Sequence, residues 1–231
     1  TLPVISTLLI FVIWFKLYHP IVIDRWNLGI IYVENSQQIK DISASESQLE
    51  KGGAIIKEEI KNHPYHARVW HLLGKYYLAK ENWDSCIYAE KKAIELGYPD
   101  AAEDLGRIYY YNIGVKRSVK KAVEIWRKGF EAGSVLAGIK LVYHLLDFTK
   151  FKHFEVLELI DGILQKDDTW STLYYRKYKI YEDQAWEGYN IELAIENLKI
   201  YAERSPEFGN QELDKLYTSG KHKIPQHLAQ S

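Results

Sequence analysis

The chain has one cysteine, Cys86, and no methionine among its 231 residues. A lone thiol excludes an intramolecular disulfide framework and a thiolate zinc cluster. A charge surplus is also missing: 30 Lys and Arg face 31 Asp and Glu, a net charge of −1. Neutralising phosphates needs a basic excess, so nucleic acid is not an expected partner. No Gly-x-x-x-x-Gly-Lys loop, His-Glu-x-x-His or Gly-x-Ser-x-Gly occurs, and no Asn-x-Ser/Thr sequon. The expectation is therefore a non-enzymatic protein without a cofactor or metal. What the chain does have is 47% hydrophobic and 26% charged residues, which excludes wholesale disorder. It is also rich in aromatics, with 18 Tyr and 7 Trp.

The amino-terminal segment is unlike the rest. No charged side chain precedes Lys16, and Leu8 to Phe15 is solidly apolar. As helix, the uncharged residues span about 22 Å, short of a ~30 Å hydrocarbon core. Continuing to Ile23 supplies the length if Lys16 snorkels, with Trp14, Tyr18 and Trp26 near an interface. A cleaved signal peptide lacks its basic start and small-residue cleavage site. A buried core helix competes with a membrane span, and the length favours the span. Residues 1–25 are expected to be a transmembrane anchor, touching the bilayer through residues 1–23, in a single-pass protein of a bacterial inner membrane. The side of the membrane stays open, since only Lys16 and Arg25 bear on it.

Beyond the anchor, apolar residues recur every three or four positions with no sustained alternation, which predicts helices throughout. Breakers fall at His63-Pro64, Gly97-Tyr98-Pro99, Gly133-Ser134, Asp167-Asp168-Thr169 and Ser205-Pro206. Spacing of about 35 residues is that of a repeated helical hairpin, which buries its second face only by stacking on a neighbour.

The clearest unit runs from Ala67 to Pro99. It carries Trp70, Leu73, Gly74 and Tyr77, then Trp83, Cys86 and Ala93. Trp-x-x-Leu-Gly-x-x-Tyr resembles the tetratricopeptide repeat, with Glu90 standing where that family usually has an aromatic. The next unit, Asp100 to Gly133, resembles the longer Sel1-like variant. It has Leu105-Gly106, Tyr109, Gly114, Ala122 and Trp126, and four extra residues between its helices. Asn112 stands there for the usual glycine, and Ser118, for the usual aspartate, can still cap a helix. Fainter units follow from Val135 to Leu164 and from Trp170 to Pro206. Upstream, Leu28-Gly29-Ile30-Ile31-Tyr32 repeats the pattern, and Ser43-x-x-Glu46 has capping-box spacing for a helix ending before Pro64. The resemblance implies an all-α, right-handed helical-hairpin solenoid over residues 26–206, preceded by one transmembrane helix. Residues 207–231 are read as a short helix and polar tail.

Three local patterns invite chemistry. Ser118-x-x-Lys121 has a nucleophile spacing but reads as a cap and a solvated lysine. Cys86 sits at a packing position. His63, His66 and His71 cluster around Pro64 but share no helical face, so a metal is not expected. Lys116, Arg117, Lys120, Lys121, Arg127 and Lys128 form a basic run, read as a solvated face with anionic headgroups as the competing partner.

Ligands of the tetratricopeptide family usually lie along a groove lined by the first helix of each repeat. The resemblance therefore nominates Arg68, His71, Lys75 and Leu78, then Glu103, Arg107, Tyr110 and Tyr111. Tyr143, Tyr175 and Tyr178 follow from the fainter units. Tyrosine and arginine are common binding hot spots. The expected function is a membrane-anchored adaptor binding protein subunits of an envelope complex. The alternative is an accessory or trimmed carboxy-terminal domain of a membrane glycan-handling enzyme, with the aromatic groove touching sugar.

Overall fold

A computed structural model describes residues 42–148 and 152–224. The expected anchor at 1–25, the repeat motif at 28–32 and the final residues of the tail lie outside the described residues. The described residues form ten α-helices and no strand. None of these helices is long and apolar enough to cross a membrane. They divide into two compact units, the first ending at Ser134 and the second starting at Val135.

The first unit holds α1 (Ile42–Asn62), α2 (Ala67–Ala79), α3 (Trp83–Glu95), α4 (Ala101–Tyr110) and α5 (Val119–Glu131). Ser43 lies inside the first turn of α1, not ahead of it. Side-chain caps mark the starts of α3 and α5. Asn82 Oδ1 accepts the Ser85 N–H at 3.2 Å, and Ser118 Oγ accepts that of Lys121 at 3.3 Å. Ser118 thus caps α5, as its spacing implied.

The ends of α3 and α5 are copies of one another. Gly97 and Gly133 adopt φ of 93° and 112°, which side-chain-bearing residues rarely do. Gly97 N–H donates to Ile94 O and Tyr98 N–H to Ala93 O, at 3.0 and 2.9 Å. Gly133 and Ser134 repeat this on Phe130 and Gly129, at 3.0 and 2.8 Å. Both are Schellman closures that satisfy the last carbonyls. Ser134 Oγ then donates to Asp100 Oδ1 at 2.6 Å, tying one turn to the next. Asn112 has φ 60° and accepts the Arg117 N–H at 3.0 Å, so it does the work of the glycine it replaces.

Leu49, Ile56, Val69, Leu72, Leu73, Tyr76 and Ala89 form one core between α1, α2 and α3. Tyr76 fits because Gly53 has no side chain; a Cβ there would stand 2.2 Å from its ring. Between α4 and α5, Trp126 lies over Gly106 and donates from Nε1 to Glu103 O at 3.2 Å.

The second unit holds α6 (Val135–Phe148), α7 (His153–Lys166), α8 (Ser171–Tyr181), α9 (Ile191–Arg204) and α10 (Pro206–Thr218). Leu141, Ile160, Ile163, Leu173 and Leu198 are fully buried, each burial contributing about 1.5–3 kcal/mol. Val142, where the repeat pattern has glycine, is buried too. Asn190 caps α9 by accepting the Glu192 and Leu193 N–H groups, both at 3.1 Å. The turns are again stitched: Arg204 Nη2 meets Asp168 Oδ2 at 2.9 Å, and the Ser171 and Ser205 hydroxyls meet at 3.1 Å. The carboxy-terminal helix α10 is part of this packing, with Leu216 beside Tyr178, Ala194, Ile195 and Leu198.

Candidate partner-binding face

The first helices of the two clear repeats, α2 and α4, meet through a chain of charges centred on Asp104. Helical spacing puts His71 and Lys75 on one stripe of α2, and Glu103, Asp104 and Arg107 within one turn of α4. Arg107 Nη1 donates to Asp104 Oδ1 at 3.0 Å, and its Nε lies 3.8 Å from Glu103 Oε1. Lys75 Nζ and His71 Nε2 each stand 4.0 Å from Asp104 Oδ2. Asp104 is buried, while Lys75, Glu103 and Arg107 are half-buried. Four nominated residues are thus brought together around one that was not nominated.

His71 faces inward. It is only 8% exposed, its Nδ1 lies 2.8 Å from Glu90 Oε2, and its ring rests 5.0 Å from that of Tyr98. Arg68 is exposed at the start of α2, and Leu78 is half-buried. Tyr110 is buried against Trp126 at 5.1 Å, whereas Tyr111, beside it at 4.9 Å, is 62% exposed. Tyr143, Tyr175 and Tyr178 belong to the second unit. Arg176 sits 5.3 Å over Tyr143. Tyr175 packs on Tyr178 and Tyr201 at 5.7 and 5.2 Å. Tyr178 is buried, and burial pushes its phenol up.

Burial dominates the electrostatics under this face. It raises Glu90 from 4.5 to about 7 against the opposing bond from His71. It also pushes the Cys86 thiol up to about 12, helped by the charges of Glu90 and Asp104. An acid that protonates near neutrality, bonded to an imidazole, can hold or share a proton at that contact. His71, Glu90 and Asp104 offer ligand atoms within 4.8 Å of one another. Yet Arg107 and Lys75 already face Asp104, and His71 bonds Glu90 directly. A divalent ion would stand against two cations, so the set fits a charge-balanced network better than a metal centre. His63 lies elsewhere, 3.5 Å from Glu59.

Glu90 and Asp104 are the residues sequence reasoning missed. Glu90 was visible as a carboxylate at an aromatic position, and a buried carboxylate requires a polar partner. Asp104 directly precedes the Leu105-Gly106 pair and carried no comparable signal.

No family model matches the sequence, and no curated protein matches it. Among solved structures, a Sel1 repeat protein from Oxalobacter formigenes superposes with a TM-score of 0.64 at 19% identity, over 95% of this chain and 89% of that one. The protective antigen c5321 of uropathogenic Escherichia coli, which displays an SLR fold, superposes with a TM-score of 0.57 at 18% identity. That match covers 85% of this chain and 41% of the antigen. The fold is a Sel1- and tetratricopeptide-like helical repeat.

Proposed function

We propose that this chain is a non-enzymatic adaptor that binds a protein partner across the α2–α4 face, held in a bacterial envelope complex by residues 1–25. Sel1 and tetratricopeptide repeat folds commonly mediate protein–protein interaction. The observation that carries the reading is the arrangement of Arg68, Lys75, Arg107 and Tyr111. Arg68 and Lys75 lie two turns apart on the first helix of one repeat, and Arg107 and Tyr111 one turn apart at the end of the first helix of the next. Arg107 is tied to Asp104 and Glu103, which fixes its fork while leaving it partly accessible. Such a surface suits a partner segment carrying a carboxylate and an apolar side chain. The glycan alternative asks for a row of open aromatic faces. Of the nominated tyrosines only Tyr111 is mostly exposed, which favours the protein reading.

The test is recovery of partners with the tagged full chain from detergent-solubilised native membranes. Tyr111→Ala should lower recovery about tenfold, near 1.4 kcal/mol, with folding intact. Recovery that survives this change but is lost on deleting residues 1–25 assigns recognition to the amino-terminal segment instead. The same deletion should turn a detergent-requiring protein into a soluble, folded helical body.

A further inference from the structure

A second surface lies on the side of the second helices, away from Arg68, Lys75 and Arg107. The carboxy-terminal half of α3, the turn after it, α4 and α5 enclose a groove of about 330 Å³. Its floor is apolar, made by Ile94, Pro99, Leu105 and Ile125, with small Ala102, Gly129 and Ala132 leaving the space open. Its rim carries Lys91, Lys121 and Lys128, and no acidic side chain lines it.

The three lysines differ from eight others in this protein. Lys75, Lys80, Lys92, Lys152, Lys177, Lys179, Lys215 and Lys221 each face a carboxylate. Among the described residues, Lys91, Lys121 and Lys128 face none; Lys121 instead rests 3.9 Å over the Tyr109 ring. Lys121 and Lys128 are seven residues apart on α5, so they stand about 10 Å apart along one face. Lys91 comes from α3. An apolar trough bordered by uncompensated cations of one sign is complementary to apolar side chains flanked by carboxylates.

We propose that this groove is a docking site for an acidic peptide segment of a partner, which seats one or two large apolar side chains on the floor. Carboxylates before and after them meet Lys91, Lys121 and Lys128. Cations on two helices, two of them about 10 Å apart, need several carboxylates in register, which a peptide supplies and a single-headed fatty acid does not. The site uses none of the residues of the α2–α4 face, so the two surfaces fail or stand independently.

The probe is a set of fluorescein-labelled octapeptides carrying a leucine pair flanked by glutamates, each matched with a glutamine-flanked control, titrated against the full chain by anisotropy. At least one acidic peptide should bind tenfold or more tighter than its control, with affinity falling as salt rises. Lys91→Gln and Lys128→Gln should each weaken that peptide about threefold to tenfold, and Ala132→Trp, at an exposed helix end, should block the floor. Lys116→Gln, in the same basic run but off the groove, should leave it unchanged, as should Tyr111→Ala. No acidic peptide exceeding its control, or equal loss with Lys116→Gln, overturns the proposal. Anionic vesicles of phosphatidylserine that bind where the peptides do not, with the same dependence on Lys91 and Lys128, also overturn it, assigning the rim to lipid.

Discussion

The carboxylate of Glu90 lies directly over the bare Cα of Gly74. A Cβ on that glycine would stand 2.3 Å from Glu90 Oε1, just as one on Gly106 would stand 2.0 Å from Trp126 Nε1. The two repeats therefore plug the same gap, one with an indole and one with an acid. Each plug is held by a group three residues before its glycine. The indole of Trp126 donates to the main-chain oxygen of Glu103, and Glu90 meets the side chain of His71.

Adding bulk at the two glycines should have unequal effects. Gly106→Leu must displace a rigid, fully buried ring and should cost at least ~2–3 kcal/mol. Gly74→Leu meets the end of a flexible side chain but breaks the Glu90–His71 contact, for a loss of about 1–3 kcal/mol. Lys91→Leu, on the exposed surface, should stay within about 0.5 kcal/mol. Equal urea midpoints for the three variants would contradict the packing.

The raised carboxyl of Glu90 makes a signed prediction. Between its ordinary 4.5 and about 7, the folded protein holds a proton that the unfolded chain has released. Stability therefore falls as pH rises through that window. Glu90→Gln removes the titration and should gain on the wild type by about 1–3 kcal/mol from roughly pH 5 to pH 8, less whatever His71 recovers by pairing with the ionised form. Urea denaturation of both proteins at several pH values reads the difference directly, and a difference that does not change with pH refutes it.

Cys86 is 1% exposed and holds its proton up to about 12. Thiol reagents act on the thiolate, so the folded protein should be nearly inert to Ellman's reagent at mildly alkaline pH and react once denatured. Rapid stoichiometric labelling of the native chain would show the thiol to be accessible.

The adjacent tyrosines should separate binding from stability. Tyr110→Ala removes a ring packed on Trp126 and should cost about 3–5 kcal/mol of folding free energy. Tyr111→Ala removes a mostly exposed ring and should leave the melting temperature within about 2 °C. Comparable melting losses would mean that Tyr111 belongs to the packing.

The helical architecture was legible because it rests on local signals. Periodicity, the cap at Ser118 and the closing glycines Gly97 and Gly133 act within a few residues of themselves. Asn112 was read only as a departure from the usual glycine, and its φ of 60° shows it filling that role. The site was less legible because its inner members meet across long stretches of chain. Glu90 and Asp104 lie on different helices from His71, and nothing near His71 announces either. Tyr110 and Tyr111 illustrate the opposite difficulty. They are neighbours of the same type, and the helix end alone decides that one turns inward and the other out.

The matched closures at Gly97 and Gly133 make the stretch between them a portable cassette. Each joint has its acceptors on the near side and takes one N–H from the residue after the glycine, which Tyr98 and Ser134 supply alike, so cutting at one and rejoining at the other leaves both helix ends satisfied. A gene carrying this chain can gain a copy of residues 98–133 in frame without creating an uncapped helix.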